Sequence, residues 1–185
     1  MDVFFLLLSL LLITLGWIWY LVPAFYGLPS VHTRADRIRR ALQMADLQPD
    51  EILYDLGAGD GRVLVVAAKE FAAKAVGIDV GPLQCAAAWV NARLNRVAHR
   101  VRVKWGDFFK ADLREADVVF AYATSSQAGR LEYQLEAQLR PGARVVTVSF
   151  DMPHWEPAGF DKNQLIFLYR MPPARGDLVS YLVKQ

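Results

Sequence analysis

The sequence has a single cysteine and only three histidines among its 185 residues. Cys85 alone cannot form an internal disulfide or a multi-cysteine metal site, and the scattered His32, His99 and His154 show no metal-ligand spacing. We therefore predict no metal centre. The formal net charge of +2 is small, so electrostatics alone gives no reason to expect a nucleic-acid partner, and we predict none.

Charge and proline are absent from one long segment, residues 3–22, VFFLLLSLLLITLGWIWYLV. A helix of this length spans about 30 Å, the thickness of a bilayer core. Trp17, Trp19 and Tyr20 crowd its C-terminal end, as an aromatic belt would. A signal peptide would need a basic start and an A-x-A site, and a buried core helix would be shorter. We therefore predict a transmembrane anchor over residues 1–22, which contacts the bilayer through residues 3–22.

Basic residues follow this segment and none precedes it. Arg34, Arg37, Arg39 and Arg40 lie downstream, on the polar face of a predicted helix for which Thr33 is the expected N-cap. They form either a solvated face or a membrane-facing patch. The positive-inside rule predicts a single-pass membrane protein with its C-terminal bulk on the cytoplasmic side, or on the matrix side of an organelle.

After a linker at residues 23–32, residues 33–185 alternate strand and helix patterns, which predicts one α/β domain. Apolar runs typical of strands occur at residues 51–56, 74–80, 100–105, 117–124 and 143–150. The helix that starts near Pro82 is expected to bury Leu83, Ala87, Val90 and Leu94. Residues 164–184 read as a terminal β-hairpin with its turn at PPARG.

The stretch YDLGAGDGRV, residues 54–63, places three glycines at alternate positions between two aspartates. A glycine-rich turn lets the backbone pass close to a ligand. G-x-G-x-G differs from the G-x-G-x-x-G of dinucleotide binders, and no G-K-[ST] follows as in a P-loop. A carboxylate about 4 Å from a phosphate costs on the order of several kcal/mol at intermediate dielectric. Asp55 and Asp60 therefore argue against a pyrophosphate at this turn.

A cationic ligand resolves this conflict. S-adenosylmethionine carries an ammonium and a sulfonium beside one carboxylate, so Asp55 can receive the ammonium while a helix N-terminus faces the ligand carboxylate. Asp79, after the second strand, can accept both ribose hydroxyls. Asp107, after the third, can accept from the adenine amino group, with Phe108 against the ring. Three acids after three successive strands, together with the glycine turn, predict an S-adenosylmethionine site.

The motifs YDLGAGDGRV, VGIDV and GDFF resemble those of the seven-strand S-adenosylmethionine methyltransferases, over residues 30–184. The apolar N-terminal segment, LPSVHT, and F-x-x-P-x-W-x-P at residues 150–157 are similar to membrane-anchored protein lysine methyltransferases. Mitochondrial members of that branch methylate the adenine nucleotide translocase or the ATP synthase c-subunit. The resemblance implies a Rossmann-like α/β fold: a mostly parallel seven-stranded sheet, order 3-2-1-4-5-7-6 with strand 7 antiparallel, and helices on both faces.

The resemblance also implies that Thr33 touches the methionine end of the cofactor, with Pro29 and Ser30 framing that side. The residues that we predict to bind S-adenosylmethionine are Thr33, Asp55, Gly57, Ala58, Gly59, Asp60, Gly61, Asp79, Val80, Asp107 and Phe108. Two features depart from the family. Residues 152–163 are too short for the usual crossover helix, and the fourth strand ends in AYATSS without N-P-P-Y, which argues against methylation of nucleic-acid adenine or of glutamine amides.

The methyl acceptor is expected to meet residues after the fourth strand, where Tyr122, Thr124 and Ser125 should line a channel. Tyr122 can equally be an aromatic residue of the core. Beyond the fifth strand, Trp155 is expected to pack in the core, and His154 is a remote candidate for the proton acceptor. Three functions follow: methylation of lysine on a membrane protein; methylation of a lipid, quinone or other small amphiphile; and a non-catalytic cofactor-binding scaffold. The first is favoured, and the oligomeric state is left open.

Overall fold

A computed structural model describes residues 2–25, 33–122 and 124–184 of the chain. The helices are α1 (Asp2–Phe25), α2 (Ala35–Met44), α3 (Arg62–Glu70), α4 (Pro82–Leu94), α5 (Ser125–Gln138) and α6 (Leu178–Val183), with a 3-10 turn at Phe108–Lys110. The strands are β1 (Ile52–Leu56), β2 (Lys74–Asp79), β3 (Val101–Trp105), β4 (Val118–Ala121), β5 (Arg144–Val148), β6 (Trp155–Glu156), β7 (Gly159–Asp161), β8 (Ile166–Arg170) and β9 (Ala174–Arg175). Pro29, Ser30 and most of the predicted linker lie outside the described residues, so the division at residues 22 and 32 stays a prediction.

Seven strands form the main sheet in the order β3-β2-β1-β4-β5-β8-β7. The five strands β3, β2, β1, β4 and β5 are parallel to one another, and β8 is antiparallel to both β5 and β7. Helices in three of the four crossovers between the parallel strands lie on the faces of the sheet. The predicted Rossmann-like α/β architecture with seven strands is confirmed.

The strand order at the β5 side differs from the prediction. The sequence assigned residues 177–184 to the antiparallel strand beside β5, but β8 occupies that place and β7 forms the edge. The carboxylate of Asp177 accepts the N–H of Ser180 at 2.7 Å and caps α6, so this segment is a helix. The short β6, for which the prediction had no place, pairs with β9 in a separate two-stranded sheet.

Each face of the sheet has its own hydrophobic core because successive strand residues point to opposite sides. Leu53, on β1, packs with Ile38 of α2 and Leu64 of α3. The next residue, Tyr54, belongs to the opposite core, which includes Leu131 of α5. The sheet is thereby held between two helical layers, and the carboxyl ends of its parallel strands meet at one edge.

Helix α4 turns a different face to the sheet than its apolar pattern predicts. Its buried residues are Ala88 and Ala92, whereas Leu83, Val90 and Leu94, which the sequence assigned to the core, are 49%, 47% and 77% exposed. The reason is close backbone approach. A Cβ added to the neighbouring glycine turn at residue 61 would lie 2.7 Å from the Ala88 Cβ, so only small side chains fit this contact.

The predicted transmembrane anchor is a further correction. α1 has 24 residues, but across residues 2–25, 33–122 and 124–184 no helix has both the length and the apolar character needed to cross a membrane. The absence of charged residues from a stretch of sequence does not by itself establish a membrane span. A span requires both sufficient length and sufficient hydropathy in one continuous helix. The predicted single-pass localisation, with the remaining chain on the cytoplasmic or matrix side, is therefore wrong. Bilayer contact through residues 3–22 is not supported.

Candidate cofactor-binding and acceptor site

The glycine-rich turn lies at the carboxyl end of β1, beside the end of β2. Asp55 is the fourth residue of β1, and the N–H groups of Gly57 and Ala58 donate to the same carbonyl of β2, at 2.9 and 3.1 Å. The three glycines of the turn have φ angles of +90°, +53° and +74°, a left-handed conformation that glycine adopts without penalty. The last of them, Gly61, is the N-cap of α3. The turn therefore presents bare backbone and a helix N-terminus at the edge of the sheet.

The carboxylate of Asp55 is buried without a hydrogen-bond donor. The residue is 3% exposed, and no group in the described part of the chain donates to this carboxylate. Burial, followed by the nearby carboxylates of Asp79 and Asp60, raises the pKa of Asp55 to about 8. When this buried carboxyl group is ionised without a partner, it lowers the stability of the folded protein, and a cation placed beside it would remove that destabilisation.

The carboxylate of Asp79, at the end of β2, forms the neighbouring wall. Its Oδ2 accepts the N–H of Gly59 and its Oδ1 accepts the N–H of Gly81, both at 2.8 Å. Because a carboxylate oxygen has two lone pairs, each can also accept a ligand hydroxyl. Burial raises the pKa of Asp79, and these N–H donors lower it in part. The following Val80 is buried, and its carbonyl accepts from Nε1 of Trp105 at 2.9 Å.

Asp107 and Phe108 both follow β3, but only Asp107 presents a group that a ligand could contact. Oδ1 of Asp107 accepts the N–H of Phe109 at 2.9 Å and caps the 3-10 turn, which leaves Oδ2 without a donor among the described residues. Phe108 is 2% exposed and packs in the core. Its ring therefore offers almost no surface to an adenine. The half-buried ring of Phe109, with the guanidinium of Arg130 3.8 Å from its centroid, lies beside it.

Arg62 has no predicted role, yet it connects two parts of the site. Its Nε and Nη2 bind the carboxylate of Asp60 at 3.0 and 2.6 Å, and its Nη1 donates to the carbonyl of Thr33 at 3.2 Å. The buried Thr33 is thereby joined to the glycine turn. Thr33 does not cap α2, because Arg34 is the N-cap and no side-chain bond forms there. The spacing Asp-x-Arg at the end of the glycine turn, Asp60 to Arg62, is the sequence feature that could have predicted this ion pair.

The predicted acceptor residues reach the same edge of the sheet. Tyr122 is half-buried and follows β4, whose end is in register with the end of β1, so it stands beside the glycine turn. Thr124 is the N-cap of α5, with its hydroxyl 2.9 Å from that of Ser126, and Ser125 is exposed at the first position of α5. Their contact with an acceptor stays a prediction.

Arg37 also reaches this edge, from α2. Its Nε donates to the carbonyl of Gln164 at 2.7 Å and its Nη2 to the hydroxyl of Ser149 at 2.8 Å. The guanidinium carbon lies 6.0 Å from the ring centroid of Tyr122, within cation–π range. The sequence placed Arg37 on a solvated or membrane-facing surface because the pattern of α2 alone does not show the acceptors that β5 and the β7–β8 turn supply.

His154 and Trp155 lie beyond β5 but away from this edge. Nδ1 of His154 is 2.8 Å from Oε2 of Glu132, in the middle of α5. Trp155 is fully buried, its Nε1 donates to Glu136 at 2.6 Å, and its ring packs edge-on against Tyr169. The geometry thus favours packing for Trp155 and gives His154 no place beside the glycine turn.

Replacing Trp155 with alanine is expected to lower the free energy of unfolding by about 3–5 kcal/mol, because it removes a fully buried aromatic ring. The neighbouring His154→Ala is the matched control. Its side chain is 73% exposed, so the expected loss is smaller, about 1–2 kcal/mol, and comes from the hydrogen bond to the buried Glu132. Urea unfolding followed by fluorescence and circular dichroism measures both, and equal losses in the two variants would contradict this assignment.

The crevice at the ends of β1, β2 and β3 fits S-adenosylmethionine. Ligands of open α/β sheets bind at this edge. The carboxylate of Asp55 lacks a donor that an ammonium would supply, and a Cβ added to Gly59 would meet no protein atom within 4 Å. A pyrophosphate would face two buried carboxylates and does not fit. Within the described ranges no group of three or more His, Cys, Asp or Glu could hold a metal ion.

Comparisons with known proteins identify the family of this chain. Residues 55–159 match the family model of the ANTKMT methyltransferase domain. A protein-lysine N-methyltransferase of Saccharolobus islandicus (strain REY15A) is 36% identical over 148 residues, covering 76% of this chain and 92% of that protein. The chain belongs to this family. It is a class I methyltransferase that uses S-adenosylmethionine as its cofactor.

Two further relatives of this methyltransferase differ in length and in substrate. The adenine nucleotide translocase lysine N-methyltransferase of Mus musculus is 30% identical over 74% of this chain, which spans only 59% of that protein. A crystal structure of an RNA methyltransferase from Salinibacter ruber, in complex with S-adenosyl-L-homocysteine, is 37% identical, has a TM-score of 0.75, and is matched over 77% of this chain and 94% of that one. The latter relative binds the demethylated product of the same cofactor.

Proposed function

We propose that this methyltransferase methylates lysine side chains of a protein. The observation that carries the proposal is the carboxylate-lined crevice of Asp55 and Asp79, joined at the carboxyl edge of the sheet to the end of β4. The similarity to the protein-lysine N-methyltransferase of Saccharolobus islandicus, which extends over most of both chains, supports lysine as the acceptor.

The residues of the crevice have distinct tasks in this proposal. When bound, S-adenosylmethionine supplies a methyl group on a sulfonium. Asp55 binds the ammonium, Asp79 accepts from the ribose hydroxyls, and the open backbone at Gly59 leaves room for the ligand. These contacts fix the orientation of the donor, which is the main contribution of a protein to a displacement reaction.

The acceptor amine must lose a proton before it can react. A lysine with a pKa near 10.4 is almost entirely protonated at neutral pH. The half-buried Tyr122 beside the glycine turn orients the amine, and the positive charge of Arg37, 6.0 Å from that ring, disfavours the ammonium form. The released proton passes to water, so no dedicated side-chain base is required.

A finer proposal is that the acceptor is a membrane protein. Its support is the similarity to the mouse enzyme, which is named for the adenine nucleotide translocase. RNA is the second candidate acceptor, because the Salinibacter ruber relative is described as an RNA methyltransferase. The sequence ending AYATSS after β4, without N-P-P-Y, disfavours transfer to adenine.

Incubation of the purified protein with methyl-labelled S-adenosylmethionine and a cell extract tests these alternatives. We expect the label in the protein fraction, and in methyl-lysine after hydrolysis. Label in RNA would support the second candidate, label in the organic extract would support a small amphiphile as acceptor, and no label in any fraction would overturn the proposal.

Two variants test whether the crevice is the site. Asp79→Ala removes the ribose acceptor and Gly57→Arg fills the turn, so each is expected to abolish labelling and the calorimetric binding of S-adenosylmethionine. His154→Ala, which lies away from the crevice, should bind and label as the unaltered protein does. Unchanged cofactor affinity in both crevice variants would refute the site assignment.

A further inference from the structure

A groove of about 480 Å³ lies on the sheet face formed by β1, β2 and β3, near their amino ends. Helices α3 and α4 pack on the opposite face of β2 and β3. The connection from β3 to β4 has only a short 3-10 turn at Phe108–Lys110, so no crossover helix covers the groove. Such a groove at the edge of a sheet is open to a partner.

Three of the cations that line this groove form no ion pair within the described part of the chain. Lys74 begins β2, and Arg102 and Lys104 lie on β3, in register with apolar residues of β2. All three are exposed, and among the described residues none of them forms an ion pair within 4.0 Å. Arg102 and Lys104 are two residues apart, so their side chains share one face and are spaced about 6.6 Å along the strand.

The floor of the groove is apolar, and two acids, Asp50 and Glu115, also line the groove. Ile52, Tyr54 and Val76 form the floor, and the latter two are 3% and 6% exposed. Asp50, at the rim, is already paired with Arg100 at 2.8 Å. The groove therefore joins an apolar floor to an excess of positive charge, because four Lys and Arg side chains line it against two acids.

The outer edge of β3 is the second feature. β3 is the last strand of the sheet on this side, so the N–H and C=O groups along its outer edge take part in no ladder of the described chain. Such an edge accepts an extended peptide as an additional strand, which then pairs its side chains with those on the same face.

We propose that this groove binds an acidic, extended segment of the acceptor protein, which adds to the edge of β3 and places carboxylates on Arg102 and Lys104. The proposal rests on the proposed function for the identity of the partner, but not for the chemistry of the segment. A segment with acids at alternate positions matches the spacing of the two cations.

A nucleic acid fits the groove less well than a peptide. Single strands bind by stacking bases on aromatic side chains. The only aromatic ring of the groove floor within the described residues, Tyr54, is 3% exposed, and the Nζ of Lys104 lies 5.5 Å from its centroid. Carboxylates that pair with an edge strand use the backbone and the cations, and need no ring.

The groove is separate from the place of methyl transfer. β2 and β1 lie between β3 and β4, so the two sites are about 14 Å apart across the sheet. A segment bound in the groove would anchor the acceptor protein without touching the reacting amine. Loss of this contact is therefore expected to raise KM for a protein acceptor and to leave kcat unchanged.

Direct binding of a synthetic peptide tests the groove. The probe is a fluorescein-labelled nonapeptide that alternates glutamate and threonine, measured by anisotropy at about 0.1 M salt. The double variant Arg102→Glu/Lys104→Glu is expected to bind it at least about tenfold more weakly than the unaltered protein does, and added salt should weaken the unaltered interaction. A peptide with lysine in place of glutamate should not bind.

A charge-matched control separates the groove from net charge. Lys162→Glu/Arg170→Glu makes the same change in charge at the opposite end of the sheet, where both residues are exposed and form no ion pair with any residue that the structure describes. This variant should bind the acidic peptide within about twofold of the unaltered protein, since β8 and β7 lie about 24–29 Å from β3 across the sheet, beyond the screening length of about 10 Å at 0.1 M salt. Equal affinity in all three proteins, or tighter binding of oligouridylate than of the peptide, would overturn the proposal and leave a solvated strand edge.

Unchanged cofactor affinity and thermal midpoint in the charge-reversed variants would show that they fold. The two proposals then fail separately. A protein that binds the peptide but labels no lysine refutes the proposed function alone. A protein that labels lysine, with a KM that Arg102→Glu/Lys104→Glu leaves unchanged, refutes the groove alone.

Discussion

Replacing Asp55 with asparagine is expected to stabilise the cofactor-free protein at alkaline pH and to weaken cofactor binding. The pKa of Asp55 is raised from 3.8 to about 8 in the folded state, chiefly by burial. Between these values the folded protein holds a proton that the unfolded chain has lost. The stability of the folded state therefore falls as pH rises from about 4 to about 8, by up to about 1.4 kcal/mol per pH unit. The asparagine variant lacks this slope.

Thermal and urea unfolding of the two proteins between pH 5 and pH 9 measure the difference. At about pH 5, where Asp55 is neutral, the two proteins should be similarly stable, and at about pH 9 the variant should be more stable by a few kcal/mol. Parallel stability profiles across this range would show that Asp55 is ionised in the folded protein without a ligand.

Cofactor binding should change in the opposite sense. An ammonium beside Asp55 favours the carboxylate, so binding below pH 8 must displace the proton, and affinity should rise from about pH 6 to about pH 8. Loss of a charge-assisted hydrogen bond is worth about 1.5–3 kcal/mol, which predicts an affinity roughly 10- to 100-fold lower for Asp55→Asn. Calorimetry in buffers of different ionisation enthalpy measures the released proton, and its absence in the unaltered protein would contradict this account.

The core of the site could be predicted because it depends on local sequence. Acids in the last two positions of parallel strands, such as Asp55 and Asp79, lie at the carboxyl edge of the sheet. The three alternate glycines of the turn adopt left-handed backbone, which glycine allows without penalty. Both features are set by residues within a few positions of each other. Phe108 could not be placed the same way, because its burial depends on α5, which comes later in the chain.

The contacts of Arg37 were not predictable from the sequence pattern. Arg37 bonds to Ser149 and Gln164, more than 100 residues away, and helical periodicity carries no information on such partners. The exposure of the apolar face of α4 was likewise not predictable from helical periodicity. Periodicity finds the most apolar face of a helix, whereas close packing against the glycine turn selects the face with the smallest side chains, Ala88 and Ala92.

The two glycines that end the turn are expected to respond in opposite ways to the same substitution. Gly59 and Gly61 both have left-handed φ angles, +53° and +74°, so an alanine costs about 1 kcal/mol of backbone strain at either position. The difference lies in what the new Cβ meets. At Gly61 it would lie 2.7 Å from the Cβ and 2.9 Å from the Cα of Ala88 in α4, whereas at Gly59 it would meet nothing within 4 Å.

Gly61→Ala is therefore expected to lower the free energy of unfolding by a further 1–3 kcal/mol or so through overpacking, because α4 must move away from the turn. Gly59→Ala should lose only the roughly 1 kcal/mol of backbone strain but bind S-adenosylmethionine far more weakly, since its Cβ projects into the space left for the ligand. Ala88→Gly in the Gly61→Ala background removes the closer of the two contacts and should restore part of the lost stability. Urea unfolding and calorimetric affinity for all four proteins measure the separation. Equal loss of stability at both glycines would mean that α4 does not pack against the turn, and full cofactor affinity in Gly59→Ala would place the ligand elsewhere.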